Sequence, residues 1–212
     1  MVGKPYHHGD LRSSLLGAAE TILDRDGIGG LTLRAAAREA GVSHAAPSHH
    51  FGDLSGLLSA LAASGFVRFR EELLAECAVA GSGRVARVVA LGRGYVGFAR
   101  RHPGLFQLMF RSERLDWSSP GLQAAGEAAF GLLTQDEGGA VPGDAAREFE
   151  LLVVAMARWS VVHGLATLLL DGRLEKVTAA GVEVDAAIAE VIERMARAEG
   201  GSLFGNAPGT AF

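Results

Sequence analysis

The chain has 212 residues, a single cysteine and a formal net charge of −4, and is 49% hydrophobic, 21% charged and 7% aromatic. That length buries a core without staples, as one large domain or two unequal ones, and the lone Cys77 excludes an internal disulfide or a zinc-binding thiol cluster. Acidic balance excludes a chain-wide footprint for nucleic acid, no apolar run reaches the roughly 18 to 20 residues of a bilayer span, and no signal-peptide core opens the chain, so a cytoplasmic location is expected.

An Ala- and Leu-rich, aromatic-poor composition predicts an all-α fold. Leu11, Leu15, Ala18, Ala19, Ile22 and Leu23 recur at helical spacing, giving a first helix from about Asp10 to Asp26 that Gly27 ends. Thr32 then caps a short helix carrying Leu33, Ala36, Ala37 and Ala40, which stops at Gly41. After the turn Gly41-Val42-Ser43, Ser43 is expected to cap a third helix over His44 to His50, with Pro47 loosening or delaying its start. Two short helices about a tight glycine turn define a helix-turn-helix.

Longer patterns follow, over Asp53 to Ala80, Arg84 to Arg101, Pro103 to Arg111 and Ser118 to Gln135. Asp136 to Gly143 reads as a loop, Asp144 to Asp171 as the most apolar helix, Thr178 to Ala198 as a last amphipathic one, and Gly200 to Phe212 as a disordered tail. The expected division is residues 1–55 for a helix-turn-helix domain, 56–199 for a larger helical domain and 200–212 for the tail.

A helix that reads DNA needs small or hydrogen-bonding groups on its outer face and a preceding helix to hold it. With Ala37, Val42 and Phe51 packed inward, Ser43, His44, Ala45, Ser48 and His49 are left to face a groove; Lys4, Arg12 and Arg34 are the candidate phosphate contacts. Residues 1–55 hold five cationic and six acidic side chains, and also five of the seven histidines. Imidazoles that protonate beside phosphate would supply the missing charge.

The stretches Leu31-Thr32-Leu33-Arg34, Ala40-Gly41-Val42-Ser43, His49-His50-Phe51 and Leu57-Leu58 together resemble the signature of the tetracycline-repressor (TetR) family of dimeric bacterial regulators. Tyr6 to Arg12 and His44-Ala45-Ala46-Pro47 resemble one subgroup more closely, whose C-terminal domain is named for tryptophan, histidine and glycine. Trp159, His163 and Gly164 stand at matching places, and His102-Pro103 and Met109-Phe110 are similar too. The resemblance implies an N-terminal three-helix DNA-binding domain and a larger helical domain for ligand binding and dimerisation. It also implies a repressor released from a palindromic double-stranded operator by a small-molecule effector. Where that family usually has a tyrosine in the recognition helix and a lysine opening helix four, this chain has Ser48 and Leu54; both phosphate contacts are lost, which shifts weight to Lys4, Arg12, Arg34, Arg38 and the histidines.

In the larger domain Trp159 and His163 are four residues apart on one helix face, and Gly164 lets another helix come close. Two readings stand. Either the indole and imidazole are satisfied within the core, or Phe106, Met109, Phe110, Trp117, Phe130, Met156, Trp159 and His163 line a cavity suited to an apolar or aromatic ligand. The last two long helices would form a four-helix interface with a second copy, with Ala155, Arg158, Val162, Ala166 and Ile188 as the expected contacts. Catalysis is not expected, since no motif joins Cys77, His102 and His163 and no phosphate-binding loop is present. No metal ligand set or cofactor motif is seen either. The rival reading is a helical small-molecule-binding or scaffold protein of the same fold with weak or lost DNA binding.

Overall fold

The computed structural model describes residues 8–134, 145–177 and 183–198. Among these it forms ten helices and no strand: α1 (His8–Gly30), α2 (Leu33–Glu39), α3 (Ala46–Phe51), α4 (Leu54–Val79), α5 (Arg84–Arg101), α6 (Pro103–Arg111), α7 (Pro120–Thr134), α8 (Ala145–Leu170), α9 (Leu174–Val177) and α10 (Val184–Ala198). Lys4, the 136–143 loop, the start expected for the last helix at Thr178 and the 200–212 tail lie outside the described residues.

The helices follow the sequence pattern except where a local rule overrides it. Helix α1 is broken at Gly27, whose φ of 69° takes the chain out of helical geometry. Helix α3 starts at Ala46, two residues later than expected, with no side-chain cap. Pro47 supplies no N–H and is tolerated only in a first turn; Ser43 instead accepts the Ala46 N–H at 3.0 Å through its carbonyl. Helix α7 likewise starts at Pro120, not Ser118, because the Asp116 carboxylate accepts the Ser118 N–H at 2.9 Å and holds a turn there. The single-turn α9 had no signal of its own.

The chain forms two compact units, residues 1–69 with 102–129, and residues 70–101 with 130–212. The first contains α1 to α3, the start of α4, α6 and most of α7. Its core is Leu15, Ile22, Leu23, Leu31, Ala36, Ala37, Leu57, Leu58, Leu61, Leu105, Phe106 and Leu108. Helices α1 and α6 pack closely where Gly104 sits: a Cβ there would stand 3.2 Å from Leu23.

In the second unit α5 packs against α8 and α10. Val96, Ile188 and Ile192 form its centre, with Val89, Leu165, Leu169, Leu174 and Val184 around them. Arg93 pairs with Glu193 and Arg100 with Asp185 along the edge of the α5–α10 seam. Both pairs are solvent-exposed, so apolar burial dominates the packing.

Candidate nucleic-acid interface

The turn between α2 and α3 is fixed by backbone chemistry. Thr32 Oγ1 accepts the Ala35 N–H at 3.0 Å and caps α2. At the other end Val42 N–H reaches Ala37 O at 3.0 Å and Gly41 N–H reaches Arg38 O at 3.2 Å, the paired bonds of a Schellman stop, with Gly41 at φ 67°. Gly52, at φ 76°, ends α3, and the Asp53 carboxylate accepts the Gly56 N–H at 2.9 Å to start α4. Residue 56 has no room for a side chain: a Cβ would lie 2.0 Å from the Phe51 carbonyl oxygen.

This frame buries Pro47 and leaves Ser43, His44, Ala45, Ser48 and His49 exposed; Ala46, His50 and Phe51 are partly covered. Ala37 is fully buried and Val42 half-buried, so the inward residues are close to those expected. Arg12 and Arg34 are exposed, and the Arg12 guanidinium lies 5.3 Å from the centre of the Phe51 ring. Arg25 is tied to Asp26 and Glu39 at 3.0 and 3.3 Å, and these two acids hold its guanidinium above its ordinary pKa.

The first turns of α4 carry two bonds that the sequence reading did not foresee. Ser55 Oγ donates to Arg114 O and Asp116 N–H donates to Ser59 Oγ, both at 2.8 Å, tying the 112–119 loop to α4. Beside them Phe66, Phe69, Phe106, Phe110 and Trp117 form an aromatic group, with ring centres 4.8 to 6.2 Å apart along its neighbouring pairs.

The eight residues of the expected cavity fall four to each unit: Phe106, Met109, Phe110 and Trp117 in the first, Phe130, Met156, Trp159 and His163 in the second. Phe106 and Met109 are buried packing groups. Met156 is a correction: it is 52% exposed on the outer side of α8.

Within the second unit, Trp159 Nε1–H donates to the Tyr95 hydroxyl at 3.1 Å, and that hydroxyl lies 2.9 Å from His163 Nδ1. The phenol oxygen thus accepts the indole proton and shares a second hydrogen bond with the imidazole, joining the three side chains in series. Burial pushes Tyr95 above the ordinary phenol range, and the indole bond opposes that shift. Tyr95 was not anticipated; its spacing fits any core aromatic.

The interface expectation is corrected as well. Ala155, Arg158, Val162, Ala166 and Ile188 are all buried inside one chain, and Arg158 donates to Leu133 O at 3.3 Å. They cannot offer surface to a second copy. The opposite side of α8 exposes Phe149, Leu152, Val153, Met156 and Trp159, and α10 exposes Val191. Residues 148–170 are moreover long and apolar enough to cross a bilayer by length and composition, with a mean hydropathy of 1.6 and 22% buried. The expectation that no stretch would reach that measure overlooked a run interrupted by Glu150 and Arg158.

A short capped helix, a Schellman turn and a second short helix with a small, polar outer face, ahead of a set of long helices, make up a helix-turn-helix transcriptional regulator. Residues 88–196 match the family described as "Tetracyclin repressor-like, C-terminal domain". The chain belongs to that tetracycline-repressor-like (TetR) family. A solved protein of unknown function from Rhodococcus sp. RHA1 is 40% identical, with a TM-score of 0.72 over 92% of this chain and 98% of its own. A TetR-family transcriptional regulator from Streptomyces coelicolor shares the fold at 21% identity and a TM-score of 0.59, over 93% of this chain and 99% of its own. An uncharacterized HTH-type transcriptional regulator of Mycobacterium tuberculosis, Rv0681, is 26% identical over 87% of this chain and 79% of its own.

Proposed function

We propose that this chain is a cytoplasmic repressor that binds a palindromic operator as a homodimer and is released by a small apolar or aromatic ligand. The observation that carries the reading is the outer face of the turn before α3 and of α3 itself: Ser43, His44, Ala45, Ser48 and His49 are all exposed, on a segment anchored by buried Pro47. Such a face is unsuited to packing and suited to base edges and phosphates. Residues 1–55 act as the reading head and 56–199 as the effector part, with Arg12 and Arg34 as backbone contacts.

Two further features fit. The exposed apolar side of α8 needs a partner, and a second copy supplies one by symmetry. Phe110 and Trp117 belong to an aromatic group whose neighbouring loop is bonded to Ser55 and Ser59 of α4, so a ligand met there would act on the helix that follows α3. The Trp159–Tyr95–His163 hydrogen-bond series supports reading the chain as one of the tryptophan-histidine-glycine subgroup.

The test is a gel shift with duplexes flanking the chain's own gene. Binding that survives moderate salt and requires both half-sites is expected; indifference to every such duplex rejects the proposal. That negative result, with the fold intact, would favour the second reading, a helical ligand-binding protein with lost DNA binding. Exposed Asp53 and the absent phenol and ammonium at Ser48 and Leu54 point that way.

A further inference from the structure

From Glu39 through Val67 the chain has no lysine or arginine at all. That span covers the turn before α3, α3 itself and more than half of α4, so the groove-facing helix carries no permanent positive charge. The only groups in the span able to become cationic are His44, just before α3, and His49 and His50 on it. Resting on the operator-binding reading above, we propose that His44 and His49 meet the duplex as imidazolium groups, so that operator binding takes up protons and is gated by pH near neutrality.

A duplex is a dense polyanion, and a protein binds it by placing cations against phosphates. The permanent charges around α3 lie on its neighbours α1 and α2 and not on the turn-and-α3 segment itself. Arg25 is consumed by Asp26 and Glu39. Arg12 on α1 is over the Phe51 ring, and Arg34 and Arg38 are exposed on α2. Just beyond α3 stands the exposed Asp53, one carboxylate oxygen of which accepts the Gly56 N–H. Repulsion between that acid and phosphate has to be offset by something on α3.

His44 and His49 are exposed, whereas His50 is partly covered, with its ring centre 5.4 Å from that of His49 and 6.3 Å from that of Phe51. Of that pair His49 is the one open to a phosphate. A neutral imidazole has one N–H to give; an imidazolium has two and a full charge. Free imidazole titrates at about pH 6.5, inside the range where a neighbouring phosphate decides its state.

The sign follows from linkage. Phosphate raises the histidine pKa in the complex above its value in free protein. The added affinity is therefore complete below the free value and is lost as pH rises through the bound one. A two-fold assembly doubles the number of groups, so modest shifts multiply.

The experiment is fluorescence anisotropy on the full chain, with the promoter duplex that shifts in the gel, at constant ionic strength and at about pH 6, 7 and 8. Wild type should bind at least about tenfold more weakly at the highest pH than at the lowest, the change that one pKa unit implies. His44→Gln with His49→Gln should flatten the profile to within about twofold, and His44→Arg with His49→Arg should hold tight binding at every pH. Far-ultraviolet circular dichroism confirms that both double variants are folded. A flat wild-type profile with binding intact overturns the proposal, as does a profile that persists in the glutamine variant. Absence of binding at any pH removes the operator reading itself and this proposal with it.

Discussion

Helices α3 and α8 are both left uncovered on one side by the rest of the chain, and their uncovered sides are chemical opposites. The six-residue α3 shows hydroxyl and imidazole groups and anchors itself through Pro47 and, in part, Phe51. The 26-residue α8 shows Phe149, Leu152, Val153 and Met156 and buries a second apolar row of Ala155, Val162 and Ala166 behind them. The contrast teaches that exposure alone does not identify an interface; what is exposed selects the partner. A polar face of small groups suits a hydrated polyanion, while a long apolar row suits a copy of itself.

The sharpest way to break this comparison is to charge the apolar row. Leu152→Glu with Met156→Glu should convert dimer to monomer by light scattering and weaken operator binding by about 100-fold or more, since two linked heads lose their mutual effective concentration. An unchanged mass in solution would show that α8 has another partner. Next in size is the joint that sets α3: Gly56→Ala forces a methyl onto the Phe51 carbonyl and should cost about 1–3 kcal/mol in urea unfolding, with operator affinity falling in parallel. A neutral result would mean that the α3–α4 corner yields.

Smaller effects sharpen the picture of the second unit. Tyr95→Phe removes the hydroxyl shared by Trp159 and His163 and should cost about 1–3 kcal/mol, read by denaturation with a changed indole fluorescence. The wild type should also lose stability above about pH 10, because an unfolded tyrosine ionises there while the buried one, its pKa raised chiefly by desolvation, resists; Tyr95→Phe should lack that share of the alkaline loss. Smallest is Ser48→Tyr, which puts a phenol on the exposed face of α3 and should tighten operator binding a few-fold without changing base preference.

Much of this was legible in the sequence where glycine, proline and caps act locally. Thr32, Gly41 and Pro103 fix the ends of α2 and the start of α6 whatever surrounds them, and Ser43, His44, Ala45, Ser48 and His49 stay exposed despite a two-residue shift in the start of α3. What the sequence pattern left undecided required tertiary information. Helix α8 is apolar on two sides, so helical periodicity has no preferred direction, and the chosen interface row proved to be the inward one. Tyr95 and Ser59 are ordinary core letters in the sequence; they matter because of partners 57 to 68 residues away.

The missing side chain at position 56 has a mechanical consequence. With the last carbonyl of α3 resting where a Cβ would stand, the two helices meet backbone to backbone, with no compliant side chain between them to absorb a tilt. A tilt of the first turns of α4, where the 112–119 loop is fastened, therefore has to carry the end of α3 with it or break that contact.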